Sequence, residues 1–339
     1  MLNNKYRAIA FFFLTVLLVV SCNNTAPQVS HNTSSPDPKT ISMKVAAMMP
    51  RDIQHDAWSR SSYEGLKFIE KELGANITYQ ENADVPSPQP NSTYDKILRG
   101  FAQQNYDLII AHGGQFMKAV DTIAKEFPRI KFAVTSAYSG NNKNAAGLTY
   151  RASEGGYLAG VAAGLVTQTN KMAFLGGQPN SNAVEIANFS QKGALSIKPN
   201  SNFSIEWVGS FTEDKKSHKL AEELIKSGVD VIIVNVGTAD PEIILMAEKA
   251  GIKAIGINQD QHPIAPQTVI TSMIPKFSAI YLQAGTLVLK GQWEGKQYKF
   301  GLKEGAIEMA PSYGNFTTEQ EAKFQEIKNE IILGKLNFF

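Results

Sequence analysis

Cysteine is almost absent from these 339 residues: the single one, Cys22, has no partner with which to close a disulfide inside the chain. Neither sign of charge is in excess. Once Lys5 and Arg7 of the N-terminal segment are set aside, the basic residues equal the 31 acidic ones, and that balance gives no reason to expect nucleic acid as a partner. The histidines, His31, His55, His112, His218 and His262, show no metal-ligand spacing. There is no Gly-x-Ser-x-Gly elbow and no phosphate-loop lysine motif, and Gly176-Gly177-Gln178 lacks the third glycine of a dinucleotide fingerprint. Neither a paired set of carboxylates nor a nucleophile with its base can be assigned. The expectation is therefore a protein that is not an enzyme and needs no cofactor or metal.

What is present begins with a leader. Lys5 and Arg7 precede an apolar stretch, residues 8–20, that is too short for an ordinary membrane span and reads as a secretory signal. Cys22 stands at its end, outside any core, and Leu18-Val19-Val20-Ser21-Cys22 resembles a bacterial lipobox, in which the cysteine becomes the lipidated first residue of the mature protein. The other reading is a plain cleaved signal. Residues 1–21 are thus expected to be removed, and residues 22–40, rich in Asn, Ser, Thr, Pro and Gln, to form a disordered tether that places the protein on the extracytoplasmic face of a bacterial membrane.

About 300 residues follow, too many for one ordinary core and suited to two lobes. They alternate short β-rich runs with helical patterns, the signature of α/β architecture with parallel sheets flanked by helices. The runs are 44–49, 77–80, 107–111, 131–135, 172–175, 204–208, 229–235, 254–257 and 269–272. A helix is expected over 116–127, stopped by Pro128. Gly156, Gly160 and Gly164 strip one helix face of side chains, which points to close packing against a neighbour.

The stretch MMPRDIQHDAWSRSSYEG, residues 48–65, reads as the end of a strand, a loop of about ten residues and an amphipathic helix that stops at Gly74. Loops that leave the carboxyl ends of parallel strands form the ligand crevice of open α/β sheets. Trp58 is assigned to this loop, where its indole either packs back on its own domain or offers a flat face to a planar ligand. His112 follows another strand and reads equally as a ligand donor or a surface histidine.

Residues 150–164, YRASEGGYLAGVAAG, followed by KMAFLGG at 171–177, resemble the basic membrane protein family of substrate-binding lipoproteins, which includes the purine nucleoside receptors of ABC importers. Tyr63-Glu64-Gly65-Leu66, Trp207 to Asp214, Ile255 to Gln261 and Gly301 to Gly305 resemble further blocks of that family in the same order. The resemblance implies a two-lobed periplasmic-binding-protein fold of the first type with a three-crossover hinge, placed near Tyr150, Gly256 and Lys290. The lobes would then be 41–150 with 257–290, and 151–256 with 291–339. It implies that a base is held between an aromatic from each lobe, at the matching positions Trp58 and Phe211, although Phe211 also reads as core at a strand end. His112, Gln115, Asn235 and Asn258 become candidate polar contacts, and Asp260 matches an aspartate of the crossover with a structural role open to it.

The departures bear on the ligand. Where family nucleoside receptors hold ribose with an acidic residue, this chain has Asn258, a neutral amide. Gln54 and His55 replace paired aspartates, with Asp56 displaced, and the family's lysine falls at Pro275, with Lys276 one place on. The expected function is capture of a purine base, nucleoside or similar planar heterocycle for an ABC permease. The alternative is an extracytoplasmic sensor or surface adhesin that passes a signal to a partner protein.

Overall fold

The computed structural model describes residues 42–84 and 90–336; the leader, Cys22, His31 and the tether lie outside the described residues. In chain order the elements are β1 (Lys44–Met48), α1 (Ala57–Leu73), β2 (Asn76–Gln80), α2 (Pro90–Gln103), β3 (Leu108–Ala111), α3 (Met117–Glu126), β4 (Lys131–Val134) and β5 (Ala145–Tyr150). Next come α4 (Ala152–Val166), β6 (Lys171–Gly176), α5 (Ser181–Ile197), β7 (Asn202–Trp207), α6 (Asp214–Lys226), β8 (Val231–Asn235), α7 (Asp240–Ala250), β9 (Lys253–Ile257) and β10 (Val269–Pro275). The described chain closes with α8 (Phe277–Leu289), β11 (Gln297–Phe300), β12 (Ile307–Met309) and α9 (Thr318–Ile332).

These strands form two six-stranded sheets, ordered β11-β5-β4-β3-β1-β2 and β12-β10-β9-β8-β6-β7. All pairings are parallel except that of β12 with β10. Helices cover both faces, so central strands are apolar throughout rather than alternating, as in the fully buried Val231–Asn235. Each of the nine expected runs coincides with a strand. The three strands that pattern reading missed carry little β signal: Ala145–Tyr150 begins Ala-Ala-Gly, Gln297–Phe300 lies on an edge, and Ile307–Met309 has three residues.

The glycine face of α4 packs on α5. A Cβ at Gly156 would lie 2.6 Å from the Ile186 carbonyl oxygen, and one at Gly160 would lie 1.8 Å from that of Ser190, so the two helix backbones touch where side chains would normally separate them.

The chain passes between the sheets three times, and two of the crossings differ from expectation. The first, at Arg151, is where it was expected. The second comes after β10, at Lys276 and not near Gly256, because residues 269–275 continue the second sheet beside β9. The third lies between β11 and β12, in residues 301–306 rather than near Lys290, because α8 packs on α1 and β11 pairs with β5. The first lobe therefore comprises 42–150 and 277–300, and the second 152–275 and 307–336. The crossings are tied together: Arg151 N–H donates to the Phe300 carbonyl at 2.8 Å and Lys276 N–H to that of Ala306 at 2.9 Å. Glu154 accepts the Leu302 N–H at 2.7 Å, and Arg151 pairs with Glu304 at 2.9 Å.

Every crossing leaves the carboxyl end of a strand, at Tyr150, Pro275 and Phe300, and the third enters β12 beside the carboxyl end of β10, where Ile307 pairs with Pro275. The carboxyl ends of both sheets thus face the hinge. The loops after β1, β3, β7, β8 and β9 leave these same carboxyl ends, where open α/β sheets form their ligand crevices.

Candidate functional site

The first rim begins with a shorter loop than expected. Eight residues, 49–56, join β1 to α1, and Trp58 is the second residue of the helix rather than part of the loop. Asp56 caps that helix by accepting the Ser59 N–H at 2.7 Å. Asp52 accepts the backbone N–H groups of Gln54 and His55 and contacts the His55 ring at 2.7 Å; these bonds hold its carboxyl below the ordinary range. Glu81 accepts the Ile53 N–H at 3.0 Å. The loop is fastened by two of its own carboxylates, Asp52 and Asp56, and by Glu81 just past the end of β2.

The Trp58 indole lies against the His112 imidazole, with ring centroids 4.2 Å apart at 33°, and meets Phe277 edge-on at 4.9 Å. Its Nε1–H donates to the His112 carbonyl at 3.3 Å. With these supports in place it is still 40% exposed, which is large for an indole held on one face and leaves apolar area open to a ligand.

His112 is neither on the surface nor open to a ligand. It is wholly buried beneath the indole, with Nδ1 at 2.9 Å from the Tyr281 hydroxyl and 3.0 Å from that of Thr135. Tyr281 also shares a 2.7 Å hydrogen bond with Ser62 of α1. Burial pushes the imidazole down to about 3, so it stands neutral at physiological pH and acts as the floor under Trp58.

The second rim is lined by amides. Asn235 ends β8, nearly buried, and its side-chain oxygen accepts from Asn258 Nδ2 at 3.2 Å. Asn258 adopts a left-handed backbone (φ 76°) that asparagine tolerates better than most residues, and its own N–H donates to the Met273 carbonyl. Phe211 lies within the loop after β7, half-buried. Its ring covers Gly177, where a Cβ would come within 2.3 Å of it, and its carbonyl accepts the Thr238 N–H at 3.0 Å. Trp58 and Phe211 each rest on their own lobe.

Gln115 is exposed, with its amide folded against Gly113. Asp260 is engaged within the second lobe: it accepts the Tyr313 hydroxyl and the His262 N–H, and the His262 and Tyr313 rings stack at 3.8 Å. Lys276 pairs with Glu308 at 3.1 Å. A cavity of about 450 Å³ lies at the opposite, amino ends of β6 and β7, bounded by Lys171, Asn202, Glu206 and Ser227, and none of the residues singled out in the sequence lines it.

Sequence reasoning missed two parts of the site. Phe277, Tyr281 and Ser62 read as ordinary positions of amphipathic helices, and only the packing of α8 on α1 joins them to His112. Asp240 looks like a helix-start residue, yet it is buried and accepts the N–H groups of Val236 at 2.6 Å and Gly237 at 3.0 Å, with Gln261 Nε2 at 3.3 Å. Burial pushes its carboxyl up to about 6 against the opposing pull of those donors.

Comparison with known proteins agrees with this architecture. The family model for PnrA-like ABC transporter substrate-binding proteins matches residues 42–337. A purine-binding protein of Brucella abortus is 27% identical over 284 residues, covering 83% of this chain and 79% of its own length. The ABC transporter nucleoside-binding protein BmpA of Lactococcus lactis is 25% identical, with 91% of this chain and 92% of that protein aligned. The crystal structure of a transcriptional activator of the comK gene from Bacillus halodurans superposes with a TM-score of 0.76 at 20% identity, over 87% of this chain and all of that one. With nearly every described residue inside the match, the chain belongs to the Bmp family of PnrA-like ABC transporter substrate-binding proteins.

Proposed function

We propose that this protein captures an uncharged purine base, or a similar planar heterocycle, between Trp58 and Phe211, and delivers it to an ABC permease from a lipid anchor on Cys22 outside the cytoplasm. The observation that carries the reading is the indole: braced by His112 and Phe277, hydrogen-bonded through Nε1, and still 40% exposed in the first turn of the helix that follows β1. A heterocycle stacked there gains about 1 to 3 kcal/mol per ring, by analogy with bases on aromatic platforms.

The rest of the cleft favours the base over the sugar. Where family nucleoside receptors hold ribose with an acidic residue this chain has the neutral Asn258, and Asp52, Asp56, Asp240 and Asp260 already accept internal hydrogen bonds. The Asn235–Asn258 pair keeps amide donor and acceptor capacity suited to the edge of a neutral base. The purine and nucleoside specificities named for the relatives in Brucella and Lactococcus support the ligand class.

A second reading, an extracytoplasmic sensor that signals to a partner protein, draws on the likeness to the comK activator. Uptake of radiolabelled purine by a deletion strain separates the two: lost uptake supports the receptor, and unchanged uptake with altered transcription supports the sensor. Mass spectrometry of small molecules retained by gently purified protein tests the ligand class, and a retained sugar or peptide in place of a heterocycle would overturn it. For the anchor, Cys22→Ser should release the protein from membranes; a variant still in the membrane fraction would refute lipidation.

A further inference from the structure

Phe277 opens α8, one residue past the second crossing, and is 5% exposed. Its ring meets four neighbours edge-on: Trp58 and His112 with centroids at 4.9 Å, and Tyr150 and Tyr281 at 6.5 Å. Tyr150 is the last residue before the first crossing, and the next residue, Arg151, donates its N–H to the Phe300 carbonyl beside the third crossing. Lys276, immediately before Phe277, is tied by its N–H to Ala306 in the third crossing and by its ammonium to Glu308 of β12. The backbone at Phe277 is therefore fixed to the hinge while its ring is fixed to the indole.

The remainder of α8 belongs to the first lobe. A Cβ at Gly65 of α1 would lie 2.6 Å from the Tyr281 ring, and one at Gly285 would lie 2.7 Å from Leu73, so the two helices are seated too closely to slide freely. Lys276 has a non-helical backbone (φ −107°, ψ 87°) and sits at the junction where the lobes change direction. A rotation there swings the side chain of the next residue first, and that side chain is the edge on which Trp58 rests.

We infer that Phe277 is a positioning residue that transmits the angle between the lobes to the Trp58 indole, so that the stacking face is correctly presented only when the hinge is closed. Its effect on binding rests on the stacking role proposed above for Trp58; its effect on the indole does not. Edge-to-face aromatic pairs hold a preferred angle, whereas an aliphatic side chain of similar size fills the space without fixing orientation.

The test separates these two layers. Protein labelled with 5-fluorotryptophan carries three indoles, Trp58, Trp207 and Trp293, and Trp58→Phe assigns the signal of interest. In the ligand-free protein, Phe277→Leu should shift or broaden the Trp58 fluorine resonance and leave the other two in place; Phe277→Met serves the same purpose if the leucine variant folds poorly. By calorimetry with adenine, Phe277→Leu should weaken binding roughly three- to tenfold, and less than twofold when Trp58 is already Ala. A Trp58 resonance unmoved in a folded variant, or a full loss of affinity that persists without the indole, overturns the inference. If the resonance moves as expected and neither adenine nor another purine binds the wild-type protein, Phe277 keeps its positioning role and the stacking reading fails.

Discussion

The rim of the first lobe is aromatic and braced from behind, whereas the rim of the second is built of amides around a buried carboxylate. Trp58 rests on a neutral imidazole that is itself held by two hydroxyls, so the surface it presents is apolar and supported from behind. Asn235 and Asn258 hold each other and retain further donors and acceptors, so the opposite surface is directional and uncharged. The two rims are thus built differently: an indole stacked on a buried imidazole at one, an amide pair beside the Phe211 ring at the other, with the acidic groups Asp52, Asp56, Asp240 and Asp260 accepting hydrogen bonds within their own loops.

The largest effect is expected where the second rim depends on a single group. Asp240→Ala leaves the N–H groups of Val236 and Gly237 and the Gln261 amide without their acceptor in a buried place, which should cost about 3 kcal/mol of folding free energy. Denaturant titration measures it. A loss below about 1 kcal/mol would mean that the loop after β8 holds itself and that the second rim is not organised by this carboxylate.

The two aromatic residues should differ from each other in a way that sharpens the contrast. Trp58→Ala is expected to weaken purine binding by about 1 to 3 kcal/mol and to leave the apo melting temperature nearly unchanged, because the indole is substantially exposed. Phe211→Ala should weaken binding over the same range and also lower stability, since its ring packs on Gly177. Calorimetry and thermal unfolding on each variant decide. Intact affinity in either one removes that ring from the clamp, and a fall in stability without loss of affinity assigns the ring to packing.

Titration gives a smaller and more selective test, because the buried groups of the two rims respond to pH in opposite directions. His112 is held near 3, below its unfolded value, so between about pH 6.5 and 3 the unfolded chain binds the extra proton and stability falls as pH falls. Asp240 is raised to about 6, so between about pH 4 and 6 the folded chain binds the extra proton and stability falls as pH rises. Across pH 4–6 the two slopes oppose each other, each at most about 1.4 kcal/mol per pH unit. Relative to wild type, His112→Gln should make stability decline more steeply with rising pH, and Asp240→Asn should do the reverse. Parallel profiles for both variants would contradict the burial assigned to these groups.

Much of the fold was legible because its central strands and helices carry strong local signals. The apolar runs of β8 and β3, Gly74 at the end of α1 and the bare face of α4 are each decided by short-range chemistry. The second and third crossings were misplaced because a crossing is set by which sheet receives the next strand, and residues 269–275 or 297–300 suit either sheet equally well. Within the site, Trp58 and Phe211 could be named by the blocks they stand in. The floor beneath the indole could not, since Ser62, His112, Thr135 and Tyr281 come from four separate elements and meet only through packing. His112 invited a reading as a ligand donor because it follows a strand. Its burial comes from α8, more than 160 residues further along the chain.

On the reading proposed above, the exposed indole and the uncharged amide pair select a planar base without needing its sugar. This selection is tested most directly by calorimetric titration of ligand-stripped protein with adenine, guanine and hypoxanthine and with their nucleosides, in parallel with Asn258→Asp. A base should bind at least as tightly as its nucleoside to the wild-type chain, and Asn258→Asp should shift the preference toward the nucleoside by restoring a carboxylate for the ribose hydroxyls. A nucleoside preference of about tenfold or more in the wild type, equivalent to about 1.4 kcal/mol, or no purine binding by a folded protein, would contradict it.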